Sequence, residues 1–329
     1  LRATTRPFGR RRVDYNAEDH AREDAMKIAL YDDYKVGLLD DGHVVDVGAV
    51  VPTGAVPQQT VENLIADFAS LRGALERELK QGKRVPLGSV TLRAPVPRPG
   101  KIVCMGGNFG EFVGRKGVLW GFLKSPEAVL DPGGTVVLSR EDANIFHHEA
   151  ELVAVIGRTA SAVSKDGALG HIFGYTCGCD VSGRFAPDSR QQFGKSFDTF
   201  APIGPCIVTA DEIPDPHRVH VRMWVDGQPR HDYPMSDIAH SVEESLAWMS
   251  TMVTLKPGDL FFLGTNHQGI GPLQDGERAV IEIDAVGRLE FGVSDPLKRR
   301  WPKGIDEVSA KDLREGTGVG PGRRTRPLA

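Results

Sequence analysis

Glu149 and Glu151 stand two residues apart in the run His147-His148-Glu149-Ala150-Glu151-Leu152-Val153-Ala154-Val155-Ile156-Gly157. The stretch from Glu149 to Ile156 is rich in valine and isoleucine and stops at a glycine, which predicts a strand. Alternate residues of a strand share a face, so both carboxylates project together. Adjacent like charges are unfavourable unless one is protonated or a cation neutralises them. A hard divalent metal, Mg²⁺ or a relative, prefers oxygen ligands and would hold both at the mouth of so apolar a strand. A pair of solvated glutamates at a strand end fits the same spacing, so these two residues alone leave both readings open.

Three further blocks carry groups that do chemistry. Asp180 closes an apolar strand and opens a polar turn in GYTCGCDVSGR, a normal place for functional groups. Lys195 lies in GKSFDTFAPIGP, and Thr265 ends LKPGDLFFLGT. His267 follows in Asn266-His267-Gln268-Gly269, with a side chain suited to proton transfer near neutral pH.

The elements that must position these groups are mostly strands. Met26–Tyr31 reads as a strand, and Lys35–Leu39 with His43–Val47 as a hairpin around Asp40-Asp41-Gly42. Val61, Leu64, Ile65, Phe68, Leu71, Leu75 and Leu79 recur at helical spacing, predicting a helix over 60–79 with Thr60 as N-cap and Gly82 as stop. Pro95, Pro97 and Pro99 then form a stiff connector. Further strands are expected at 102–105, 135–138, 149–156, 172–180, 205–209, 219–225, 260–263, 279–283 and 289–293, with helices at 165–170 and 238–252. Many short strands at regular spacing suggest a closed or strongly coiled β architecture. The chain divides into a basic arm (1–12), a small N-terminal domain (13–95), a catalytic domain (96–295) and an extended tail with little to bury (296–329).

The 329 residues suffice for such an arrangement, and the formal net charge of −4 argues against a general nucleic-acid binder. Apolar runs are too short and broken for a membrane span. Cys104, Cys177, Cys179 and Cys206 form no C-x-x-C pair and read as reduced, buried thiols of a cytoplasmic protein.

The order HHEAELVAVIG, GYTCGCDVSGR, GKSFDTFAPIGP, LKPGDLFFLGT resembles the fumarylacetoacetate hydrolase superfamily from about Lys101 to Val293. The resemblance implies an α+β, mainly β fold: a mixed β-roll or barrel-like catalytic domain behind a small β-rich N-terminal domain, usually as a homodimer. It implies Glu149, Glu151 and Asp180 as ligands of Mg²⁺, with Mn²⁺ or Ca²⁺ as substitutes. Lys195 would help hold an anionic substrate, Thr265 would offer its hydroxyl to a carboxylate, and Lys124 matches a further substrate-contact position. Arg184 would serve either the substrate or a structural ion pair. His147, two residues before Glu149, would support the ligands without being one. The implied reaction is carbon–carbon cleavage of a 2-oxo or β-dicarbonyl acid through a metal-stabilised enolate. Decarboxylase, hydratase and keto–enol isomerase activities are alternatives on the same site, and a binding protein without turnover is a rival of another class.

The chain departs from the family pattern at two places. Where many members carry a water-activating histidine and glutamate, it has Phe112 and Arg115, with Glu111 beside them. The stretch after Thr265 is one residue longer and places His267 in a loop that would face the pocket. His267 is therefore a candidate replacement for the missing acid–base group.

Overall fold

The computed structural model describes residues 26–110, 117–185, 193–315 and 321–328. The basic arm and the positions Glu111, Phe112 and Arg115 lie outside the described residues.

Ten strands form the spine of a twelve-stranded mixed sheet. Their order is Arg84–Pro86, His43–Asp46, Lys35–Asp40, Lys27–Tyr31, Ala201–Thr209, Ile172–Cys179, Ala150–Ile156, Leu260–Phe262, Ile102–Met105 and Gly121–Lys124. Two short strands, Leu92–Arg93 and Val129–Leu130, join at Lys27–Tyr31 and Ala201–Thr209. A second sheet orders Gln228–Pro234, His220–Val225, Arg278–Ile283, Gly287–Ser294 and Thr135–Val137, and Ile145–His147 pairs with Ser182–Arg184. Among the described residues no sheet closes on itself, so of the closed or strongly coiled architectures expected the closed one does not form, and open sheets share one core.

The central strands explain their own position. Every residue of Ala150–Ile156 and of Ala201–Thr209 is buried, as continuous apolar runs require when both faces are covered. The outer strand His220–Val225 alternates buried and half-buried residues instead, the period of a sheet covered on one side.

The Asp-Gly hairpin forms as expected, with Asp40 opposite His43. Helix α1 spans Pro57–Gln81, three residues earlier than the sequence suggests, because Pro57 starts it behind Val56. Thr60 therefore sits inside the helix, where its hydroxyl accepts from Gly54 N at 2.9 Å. Phe68 of α1 meets Phe173 edge-to-face, with centroids 5.0 Å apart. Helix α2, Val242–Met252, starts later than expected, because Ser241 and Glu244 close a reciprocal capping box. The sheet runs across the connector at 95–100 through the pairing of Lys27 with Val208.

The residues after Pro296 depart most from expectation. They bury Trp301 and Asp306 and form helix α3, Glu307–Arg314. Their apolar content is low, yet side-chain and backbone hydrogen bonds fasten them: Trp301 Nε1 donates to Asn144 O at 2.7 Å, and the backbone N–H of Asp306 to Ile270 O at 2.9 Å. Among the described residues no helix is long and apolar enough to cross a membrane.

Candidate metal centre

Strand pairing brings the three acids together. Ala150 faces Cys179 and Glu151 faces Gly178 on antiparallel neighbours, and Asp180 N donates to Glu149 O at 2.8 Å. One carboxylate oxygen from each of Glu149, Glu151 and Asp180 lies within 4.8 Å of the others, and all three residues are buried. The strand Leu260–Phe262 flanks the other side of Ala150–Ile156 and delivers Gly264, whose backbone N–H donates to Glu151 Oε2 at 2.6 Å. Gly264 has φ +98°, a conformation that favours glycine.

Three cations surround the acids. Lys195 Nζ donates to Glu149 Oε2 at 2.9 Å, to Asp180 Oδ2 and to Ser182 Oγ at 2.6 Å. Its ammonium also lies 4.7 Å from the centroid of the Phe122 ring, a cation–π contact. Lys124, ending the strand Gly121–Lys124, donates to Asp180 Oδ1. Arg184 Nη2 pairs with Glu149 Oε1, while its Nε donates to His147 Nδ1 at 3.3 Å. The Lys124 side chain is 0 % exposed and that of Arg184 7 %, and each is paired with a buried carboxylate, Asp180 and Glu149 respectively. Lys195 keeps 12 % of its side chain exposed.

Electrostatics separate the acids. Burial pushes the Glu149 carboxyl up, but Lys195, Arg184 and His267 outweigh it and hold the group well below the usual range. Burial, then the charges of Asp180 and Glu149, drive the Glu151 carboxyl well above it, against Lys195 and the Gly264 amide. Burial pushes the Lys195 pKa down, yet Asp180 and Glu149 reverse this and raise it above its ordinary value. Among the described residues no lysine or arginine pairs with Glu151. A divalent cation against the three oxygens would supply the positive charge that Glu151 lacks, and an all-carboxylate donor set suits a hard ion. The residues present therefore fit such a metal.

A wall of histidines adjoins the acids. His147 Nε2 donates to Asp306 Oδ2 at 2.9 Å. His148 Nδ1 and His231 Nε2 share a hydrogen bond at 3.2 Å, with both rings buried. His267 opens the 3₁₀ turn His267–Gly269, which Asn266 caps, and is buried near Glu149 and His231. Thr265 is buried, and its Oγ1 has no hydrogen-bond partner among the described residues.

Of the residues singled out from the sequence, Glu149, Glu151, Asp180, Lys195, Lys124, Arg184 and His147 form one connected cluster. Thr265 and His267 sit beside it on the loop after Gly264. Sequence reasoning missed Gly264, Ser182, His231 and Asp306. The S-G-R step after Asp180 pointed to Ser182, but no local pattern marks His231 or Asp306.

Comparison with known proteins places these features in a context. Residues 101–294 match the family model described as fumarylacetoacetate (FAA) hydrolase C-terminal. The chain is 31 % identical over 291 residues to maleylpyruvate hydrolase of Aquipseudomonas alcaligenes, covering 82 % of this chain and 99 % of that protein. It is 32 % identical over 264 residues to the mitochondrial oxaloacetate tautomerase FAHD2A of Bos taurus, covering 75 % and 82 %. Among solved structures, maleylpyruvate hydrolase from Sphingobium sp. SYK-6, in complex with manganese (II) ion and pyruvate, superposes with TM-score 0.74 at 34 % identity. That match covers 82 % of this chain and 99 % of the other.

Proposed function

Because the chain belongs to the fumarylacetoacetate hydrolase family, we propose that it is a divalent-metal-dependent enzyme that cleaves a carbon–carbon bond of an acylpyruvate-type 2-oxo acid. The observation that carries this reading is the charge balance of the centre. Three buried carboxylates face three cations, of which Lys124 and Arg184 are buried and Lys195 is partly exposed, so a divalent ion leaves two positive charges uncompensated. A 2-oxo acid with a second acidic group supplies two negative ones.

Glu149, Glu151 and Asp180 would hold the metal, Mg²⁺ in our reading, with Mn²⁺ as in the Sphingobium relative. When bound, such an ion polarises a carbonyl as a Lewis acid. The chain's own groups do the rest. Lys195, the most exposed of the three cations, places its ammonium where negative charge develops. Thr265 Oγ1 is free to donate to the substrate carboxylate. Lys124 and Arg184 fix Asp180 and Glu149. His267 would take a proton from water as hydroxide adds to the acyl carbon. It would then return that proton to the carbon released as the pyruvate methyl, so the elements of water balance across the broken bond.

Keto–enol isomerisation is the second reading. Phe112 and Arg115 replace the family's water-activating pair, and the bovine relative is a tautomerase. That reaction needs only a proton moved between carbon and oxygen, which His267 alone can do. A homodimer, a cytoplasmic setting and an N-terminal domain that ends at residue 95 while sharing its sheet with the rest of the chain complete the proposal; they rest in turn on family resemblance, on the four buried free cysteines and on the proline connector.

The experiment is a metal-dependent assay on two substrates. Pyruvate release from an acylpyruvate, abolished by chelation and restored by Mg²⁺ or Mn²⁺, is the expected result. Exchange of enol and keto oxaloacetate without any pyruvate release from acylpyruvates would replace hydrolysis by isomerisation. Silence in both assays, with metal bound, would leave a binding protein.

A further inference from the structure

We propose that the segment following the sheets is a working part of the metal centre: Asp306, acting through His147, positions Arg184 on Glu149 and so sets how tightly the three carboxylates hold a divalent ion. The inference rests on the reading of Glu149, Glu151 and Asp180 as metal ligands.

The chain of contacts is continuous. The Asp306 carboxylate accepts from His147 Nε2 at 2.9 Å, Ser309 Oγ at 2.7 Å and Thr325 Oγ1 at 2.8 Å, and its other oxygen accepts from Ser309 N at 3.2 Å. An ionised carboxylate only accepts, so His147 presents its Nε2 proton to Asp306. The opposite nitrogen is then bare and accepts from Arg184 Nε at 3.3 Å. That bond fixes the guanidinium plane, and Nη2 of the same plane grips Glu149 Oε1. The start and the middle of this relay are closed to water: the side chain of Asp306 is 2 % exposed and that of His147 0 %.

A second contact presses on the same arginine. Gly322 has φ +71°, and a Cβ added there would lie 2.6 Å from Arg184 Cγ. Gly322 N donates to Ser309 Oγ at 2.7 Å, which ties this contact to the Asp306 cluster. The geometry thus gives one segment two grips on Arg184, one relayed through the His147 hydrogen bond and one by direct packing. Groups that orient metal ligands from outside change affinity by roughly 10–100-fold when removed. Gly322 stands one contact and Asp306 two contacts beyond Arg184, so about 10-fold, the lower end of that range, is expected.

The test uses the full chain and Mn²⁺ alone. Mn²⁺ affinity is measured by titration for the wild type, Asp306→Asn, Gly322→Ala and the packing control Val286→Ala, a buried side chain outside the relay. In parallel, ¹⁵N signals of His147 are read in the metal-free protein. The expected result is a roughly 10-fold weaker Mn²⁺ affinity in Asp306→Asn and Gly322→Ala, and less than about twofold change in Val286→Ala. Asp306→Asn should also shift the proton pattern of His147. Should Asp306→Asn fail to fold, Gly322→Ala carries the decision, because it moves Arg184 without touching the carboxylate. Wild-type affinity in both variants, with His147 unchanged, overturns the proposal. Equal weakening in all three variants, tracking a loss of melting temperature, also overturns it by reducing the effect to packing. A wild-type chain that takes no Mn²⁺ instead sinks the metal centre itself, a result distinct from the other two.

Discussion

Two adjoining regions of this protein bury ionisable groups by opposite means. In the acid cluster, Glu149 and Asp180 lie against Lys195, Lys124 and Arg184, and opposite charges hold Glu149 ionised despite its burial. In the histidine wall a few residues away, His148 and His231 bond to one another, and burial drives both imidazoles toward the neutral form. The first solution keeps charge inside the protein, and the second discards it. Charge is retained where a cation and an anionic substrate would need it, and it is absent where the chain only has to pack. A buried charge is tolerated only when paired and hydrogen-bonded, whereas a neutral ring needs far less.

The comparison breaks most visibly at Lys195. Lys195→Met should lower kcat/KM by about 10²–10³-fold, the cost of one donor at developing charge. Steady-state kinetics at saturating Mn²⁺ would show it, and a loss confined to KM would remove the ammonium from the chemical step. Lys124→Met should destabilise the metal-free protein by about 3 kcal/mol, because Asp180 then keeps only one cation. Denaturation with and without Mn²⁺ checks this: added metal should recover part of the loss, and an unchanged midpoint would show that Lys124 is not needed as a counter-ion.

The histidine wall responds to pH instead. Burial foremost lowers the His231 pKa to about 4, from an unfolded value of about 6.5. The unfolded chain therefore binds the proton first, so stability is full above pH 6.5 and is lost as pH falls toward 4, by about 3 kcal/mol in all. Chemical denaturation between pH 7.5 and 4.5 should show the slope, and His231→Leu should reduce it while leaving the part that buried His148 contributes. At neutral pH the same substitution should cost only about 1–2 kcal/mol, since it strands one ring nitrogen of His148. A larger loss would mean that the wall does more than pack.

The acid cluster was legible because its signal is local. Glu149 and Glu151 alternate on one apolar strand, and Asp180 ends the strand paired with it. The hairpin at Asp41-Gly42 was equally legible, because the turn chemistry sits in adjacent residues. The strand Gly121–Lys124 escaped notice because it is four residues long, with one glycine and one lysine. Gln228–Pro234 escaped because it holds two prolines and four polar residues, and it survives as a sheet edge. The tail misled for a different reason. Its anchors, Trp301 and Asp306, are single residues whose partners Asn144 and His147 lie more than 150 positions earlier. No periodicity in one chain encodes such a bond. Thr60 as N-cap was a smaller error of the same kind, since its hydroxyl serves Gly54 while Pro57 starts the helix.

Order of synthesis gives the Asp306–His147 bond a further meaning. A ribosome makes every strand of the sheets before it reaches Asp306, Ser309, Gly322 and Thr325. A nascent chain can therefore pair its strands and assemble its three carboxylates while Arg184 still lacks its outer supports. Binding of a divalent ion at full strength would then come last, once those residues have left the exit tunnel. The same logic makes the segment a point of sabotage: a single proteolytic cut before Asp306 would leave the sheets standing while loosening the grip on the ion.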